Sequence, residues 1–192
     1  MKELTSIAEH GFLAVGLDAI HHGERLHPDL DIWMKTSEGF EERFLGMVEG
    51  TAAEIPSILD DLMQQSLIED VRIGIMGVSM GAYITYRTLL DEKRIVAAVP
   101  LLGNPEWGEH PSSPHLRHED FYPAAILSQT AGLDSSVPPA PARRLHEKLK
   151  TLYTDMPERQ RYIEYRYSGH FMREDDWNTA WKFSMEWMKR FI

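Results

Sequence analysis

Apolar residues along this chain fall into two rhythms. Short, nearly continuous apolar runs at 12–17, 71–76, 95–100 and 124–129 suit strands covered on both faces, as in a parallel sheet. Residues 161–167 also predict a strand, with Tyr162, Glu164 and Arg166 alternating against Ile163, Tyr165 and Tyr167. Between these runs the spacing turns helical. Leu4, Ile7 and Ala8 share a face in 2–10, and Phe44, Val48, Ala52, Ile55, Leu59 and Leu62 share one in 40–66. Pro56 should kink or restart that second helix. Further helices are expected from the turn after 76 to about Asp91, over 141–152 and over 173–191. In the last, Trp177, Trp181, Ser184, Met188 and Phe191 form a stripe that reads as core packing. Two stretches lack periodicity: a His- and Asp-rich loop at 18–39, and a Pro-, His- and Gly-rich segment at 103–122. Strands alternating with helices predict an α/β fold with a parallel sheet.

Composition narrows the functional classes. The 192 residues predict a single domain, 1–192, with a substantial core. A net charge of −10 with no basic run argues against nucleic acid or an anionic membrane as partner. The absence of cysteine removes disulfides, thiolate–metal sites and a cysteine nucleophile. The first residues lack the apolar core of a signal peptide, and no window reaches the length of a membrane span, so a cytoplasmic location is expected.

The chemistry concentrates at Gly77-Val78-Ser79-Met80-Gly81, between the apolar run 71–76 and the helix that starts Ala82-Tyr83-Ile84. A bare G-x-S-x-G arises by chance in roughly 6% of chains this long, so the flanking strand and helix carry the weight. The arrangement predicts a serine on a sharp turn, its oxygen thrust into a cleft. A larger side chain at Gly77 or Gly81 should collide with a neighbouring strand or helix. A serine hydroxyl attacks well only when a base takes its proton, and the base works best when a carboxylate fixes its tautomer. Asp134, in Gly132-Leu133-Asp134-Ser135-Ser136-Val137-Pro138, follows the strand at 124–129, where ligands gather in open α/β sheets. His170, in Ser168-Gly169-His170-Phe171, follows the strand at 161–167, and the small residue before it should let its loop approach the serine. Asp175 and Asp176 are competing acids, but their place at a helix start is explained by capping.

In this order the motifs resemble the α/β-hydrolases, and within them the dienelactone-hydrolase and prolyl-oligopeptidase-like esterases of bacteria. The likeness runs from Ala8 to the end and includes 11–18 leading to His22-Gly23-Glu24-Arg25. It implies Ser79 as nucleophile, Asp134 as acid, His170 as base and the Met80 N–H as an oxyanion donor. Arg25 or Glu24 would tether neighbouring loops. The resemblance implies a mostly parallel sheet with helices on both faces, shortened at the N-terminus. The strand normally found between 12–17 and 71–76 is missing. Either those two pair directly, or another chain fills the gap, or the sequence is incomplete at its N-terminus. The loop that normally brings a second oxyanion donor is missing too, a loss typically worth about 10²–10³-fold in kcat.

The remaining clusters change little. His21, His22, His27, Asp29 and Asp31, and likewise Glu109, His110, His115, His118, Glu119 and Asp120, lack the paired spacing of a helix-borne zinc motif. No metal or cofactor is expected. Segment 103–122 is expected as a short lid, with Trp107, Phe121 and Tyr122 lining a substrate pocket. The expected activity is carboxylester hydrolysis on a small or medium ester. A peptidase, thioesterase or lactonase of the same fold is the alternative, as is a non-catalytic binding or assembly module. An uncovered sheet edge would also invite pairing between copies of the chain.

Overall fold

A computed structural model describes residues 2–68 and 72–192, which cluster into two compact units divided after Ile68. In the first, helix α1 (Lys2–Glu9) is followed by an irregular stretch, a 3-10 turn at Gly23–Arg25, α2 (Leu30–Lys35) and the long α3 (Phe40–Gln64). Helix α3 runs unbroken through Pro56, giving up one backbone hydrogen bond without ending. Its buried stripe is Leu45, Val48, Ala52 and Leu59, with Met47 and Thr51 beside it. Residues 18–39 are less irregular than expected because α2 spans only six residues, too few for a helical rhythm to show. Arg25 does the tethering expected near the His-Gly turn. Its guanidinium donates to both Glu54 carboxylate oxygens (2.8 and 2.9 Å) and to the Asp18 carbonyl (2.6 Å).

The strand expected over 12–17 does not form. No ladder among the described residues includes it, and Leu13, Val15 and Leu17 are 57%, 51% and 43% exposed. An apolar run states what a segment would gain by burial, but a strand exists only through a partner's hydrogen bonds.

The second unit is a parallel sheet in the order β1-β2-β3-β4, from β1 (Ile73–Val78), β2 (Ile95–Leu101), β3 (Ala125–Ala131) and β4 (Gln160–Tyr165). Val71, expected in the first of these, lies outside the described residues. Every residue of β3, and all but one of β2, is buried, which is why these two read as continuous apolar runs. Helices α4 (Met80–Asp91), α5 (Ala140–Leu152) and α6 (Glu174–Phe191) complete the unit. Helices α4 and α5 and a 3-10 segment, Pro114–Phe121, pack together on one face, toward which Ser128 points; α6 covers β2 and β3 from the other, where it meets Gln129. The buried face of α6 is Ala180, Ser184, Met185, Trp187 and Met188, whereas Trp177 and Trp181 stack on each other half-buried.

Two buried polar chains lock this sheet to its helices. Tyr86 O–H donates to Ser128 Oγ (2.8 Å), which donates to His146 Nε2 (2.7 Å), and His146 Nδ1–H donates to the Gln160 side-chain oxygen (3.0 Å). Gln129 donates to the Ala180 carbonyl (3.0 Å) and Ser184 Oγ (2.9 Å) and accepts from Tyr165 O–H (2.7 Å). Among the described residues, no helix is long and apolar enough to cross a membrane.

Candidate active site

Ser79 sits between β1 and α4 with φ +54° and ψ −116°, a backbone that L-residues rarely adopt. The strain is held from both sides. Its N–H donates to the Leu101 carbonyl at the end of β2 (2.9 Å), and its carbonyl accepts from Ala82 and Tyr83 as α4 begins (2.8 and 3.2 Å). The turn closes so tightly that a Cβ at Gly77 would lie 2.1 Å from the Gly81 carbonyl oxygen. Gly81 is different, and here the expected collision is absent: among the described residues a Cβ there meets nothing within 4 Å.

Three side chains from the C-terminal ends of three strands meet at this turn. Ser79 Oγ lies 3.0 Å from His170 Nε2, and His170 Nδ1 lies 2.7 Å from Asp134 Oδ2. The Asp134 carboxylate, fully buried in its side chain, can only accept, so Nδ1 carries the proton and donates it. In the neutral ring Nε2 is then left to accept from the serine hydroxyl. The other oxygen, Asp134 Oδ1, accepts from the backbone N–H of Ser136 (2.9 Å) and Val137 (2.8 Å). The residues Asp-Ser-Ser-Val thus form an Asx turn that aims the carboxylate, a clamp whose only trace in the sequence is the turn-forming Asp-Ser pair. As the first residue of α4, Met80 has no acceptor for its N–H within the helix.

The acid and histidine loops are tied to each other by backbone. Gly132 N–H donates to the Tyr165 carbonyl (2.9 Å) and Leu133 N–H to the Ser168 carbonyl (2.8 Å). A Cβ at Gly169 would make only ordinary contact, 3.7 Å from the Leu133 oxygen, so a small residue before His170 is not what brings the loop close.

Two of the residues expected to line a pocket, Phe121 and Tyr122, lie away from this turn, whereas Trp107 packs against the first turns of α4. Trp107 is buried, stacks on Tyr83 (centroids 6.2 Å apart) and donates from its indole N–H to the Asn104 carbonyl. Phe121 and Tyr122 immediately precede β3, whereas Ser79 and Asp134 follow the last residues of their strands. Seven strand residues at about 3.3 Å each put them roughly 20 Å from that rim. There they line a pocket with Leu89, Ile95 and Pro123. The topology requires this: β2 and β3 are parallel, so residues 102–124 must carry the chain back to the opposite edge before β3 begins. The 3-10 segment packs on α4 and α5 along the way.

Among the described residues no group of three or more His, Asp or Glu is arranged to hold a metal ion. His22 Nδ1 meets the Ile20 carbonyl, His27 Nδ1 accepts from Asp29 N–H, and the His27 ring stacks on Trp33 (4.0 Å). His115 Nδ1 pairs with Ser113 Oγ.

The chain is 28% identical over 187 residues to "Putative esterase YitV" of Bacillus subtilis (strain 168), a match covering 82% of this chain and 71% of that one. Its fold matches TT1662 of Thermus thermophilus with a TM-score of 0.78 at 20% identity, over 98% of this chain and 82% of that one. It also matches the acylaminoacyl peptidase of Pyrococcus horikoshii with a TM-score of 0.61 at 19% identity, over 73% and 27% of the two chains. The model of the dienelactone hydrolase family matches residues 3–163. With its parallel sheet and the serine turn after β1, the chain belongs to the dienelactone hydrolase family of α/β-hydrolases.

Proposed function

We propose that this hydrolase is a carboxylesterase that works through a Ser79–His170–Asp134 triad and an acyl-enzyme. The observation that carries the reading is the continuous hydrogen-bonded path from Ser79 Oγ through His170 to Asp134, at 3.0 and 2.7 Å. Ser79 Oγ bonds to the ester carbonyl carbon as His170 Nε2 takes the hydroxyl proton. Asp134 stabilises the imidazolium, and the Met80 N–H donates to the developing oxyanion. The tetrahedral species collapses, the C–O bond to the alcohol breaks, and His170 returns its proton to the leaving oxygen. A water molecule, deprotonated by the same imidazole, then attacks the acyl-enzyme; the acid leaves and Ser79 regains its proton. The relative named as an esterase supports an ester as the substrate.

Turnover of a short p-nitrophenyl ester by wild type, Ser79→Ala and His170→Ala tests this. Both variants should lose at least about 10³-fold in kcat; equal rates in all three would remove the reading. A fluorophosphonate probe separates an enzyme from a binding module on the same scaffold. It should label wild type and not Ser79→Ala, and no label on either would favour the module.

A further inference from the structure

The geometry points to Ser168 and Asp176 as positioning residues, a latch that sets the histidine loop; we propose this role on the basis of the triad reading above. Ser168 is completely buried, and each of its polar groups is used. Its hydroxyl donates to Asp176 Oδ2 (2.7 Å) and accepts from the Arg173 N–H (3.0 Å). Its backbone N–H donates to the Tyr165 carbonyl (3.1 Å), and its own carbonyl accepts from the Leu133 N–H (2.8 Å). One residue therefore joins the end of β4, the acid loop and the start of α6. A single glycine separates it from His170. Its hydroxyl bonds both to the Asp176 carboxylate and to the backbone leading into α6.

Helix capping does not account for Asp176. The residue before α6 is Arg173, which makes no side-chain cap, and Asp176 stands within the first turn with its carboxylate turned back onto Ser168. Glu174 and Asp175 already place negative charge near the helix N-terminus. What Asp176 adds is a charge-assisted hydrogen bond to a buried hydroxyl, roughly twice as strong as a neutral one. Without it, Ser168 loses its acceptor and the His170 loop loses its charge-assisted tie to α6. A displacement of about 1 Å in a proton-transfer group is enough to cost up to about 10²-fold in rate.

The test compares Ser168→Ala, Asp176→Ala and Asp176→Asn with Ser184→Ala, which breaks a different buried contact of α6, the one to Gln129. Each is assayed where circular dichroism shows it folded. The first two should lower kcat about 10-fold with KM within twofold. Asp176→Asn, whose amide oxygen still accepts from Ser168, should recover most of that loss. Ser184→Ala should lower Tm while keeping the wild-type kcat. A wild-type kcat in folded Ser168→Ala and Asp176→Ala, or equal kcat losses in Ser184→Ala, would overturn the latch. The imidazole ¹⁵N–¹H spectrum of His170 supplies a readout independent of turnover. Its signals should shift or broaden in Asp176→Ala, and unchanged signals would also overturn the latch. If wild type turns over no ester while the His170 signals still shift in Asp176→Ala, the latch stands and the esterase reading is removed instead.

Discussion

Gly77 and Gly81 flank the same serine, yet only Gly77 is pressed against the other: its missing Cβ would fall 2.1 Å from the Gly81 carbonyl oxygen and 2.7 Å from the Gly81 Cα. The backbone around Ser79 can be this tight only while position 77 has no side chain. Gly77→Ala should therefore open the turn and unfold or inactivate the protein. Gly81→Ala, inside α4 with open space around it, should change stability by no more than about 1 kcal/mol, toward greater stability, because alanine is the better helix former. Thermal melts of both variants check the contrast. Equal destabilisation would contradict it.

Asp134 does two things at once, holding the acid loop through Oδ1 and the imidazole through Oδ2. Asp134→Asn can keep the backbone N–H bonds on its amide oxygen while presenting an N–H to His170. The ring would then protonate at Nε2 and could no longer accept from Ser79. We expect kcat to fall about 10⁴-fold with a Tm within a few degrees of wild type, measured by ester turnover and calorimetry.

His146 predicts an acid sensitivity of the fold. Burial pushes its pKa down from 6.5 to about 4. Below pH 6.5 the unfolded chain takes up a proton that the folded core refuses. The contribution is complete above 6.5 and is lost as pH falls toward 4, up to about 3 kcal/mol. Glu92 and Glu106 are held below the usual carboxylate range by hydrogen bonds from Arg94 and Arg144. Their stabilisation is lost only at lower pH, as it falls below about 4.5. Urea titrations from pH 7 to 4 should show the slope, and His146→Gln should flatten it between 6.5 and 4.5.

Phe121 is packed edge-on to Tyr86 and only 1% exposed. Phe121→Ala should cost about 3–5 kcal/mol of stability while KM for a short ester stays at its wild-type value. A selective rise in KM with unchanged stability would instead place this ring at the substrate.

Ser79, Asp134 and His170 were legible in the sequence because each follows a segment with the pattern of a strand and has a distinctive chemistry. The partners that hold them were not. Ser136 and Val137 act through backbone N–H groups, which every residue but proline carries. Asp176 looks like any acid at a helix start, and only the position of Ser168 gives its carboxylate a different task.

Local pattern by itself determined the alternation of strands and helices from β1 onward and the sharp turn at Ser79, since periodicity and turn chemistry act over a few residues. Tertiary structure alone decided that 12–17 forms no strand and that Phe121 and Tyr122 lie at the far end of the sheet. Those outcomes depend on which distant segment arrives beside a residue. That choice is set by packing and crossover direction over the whole chain, and no window of sequence contains it.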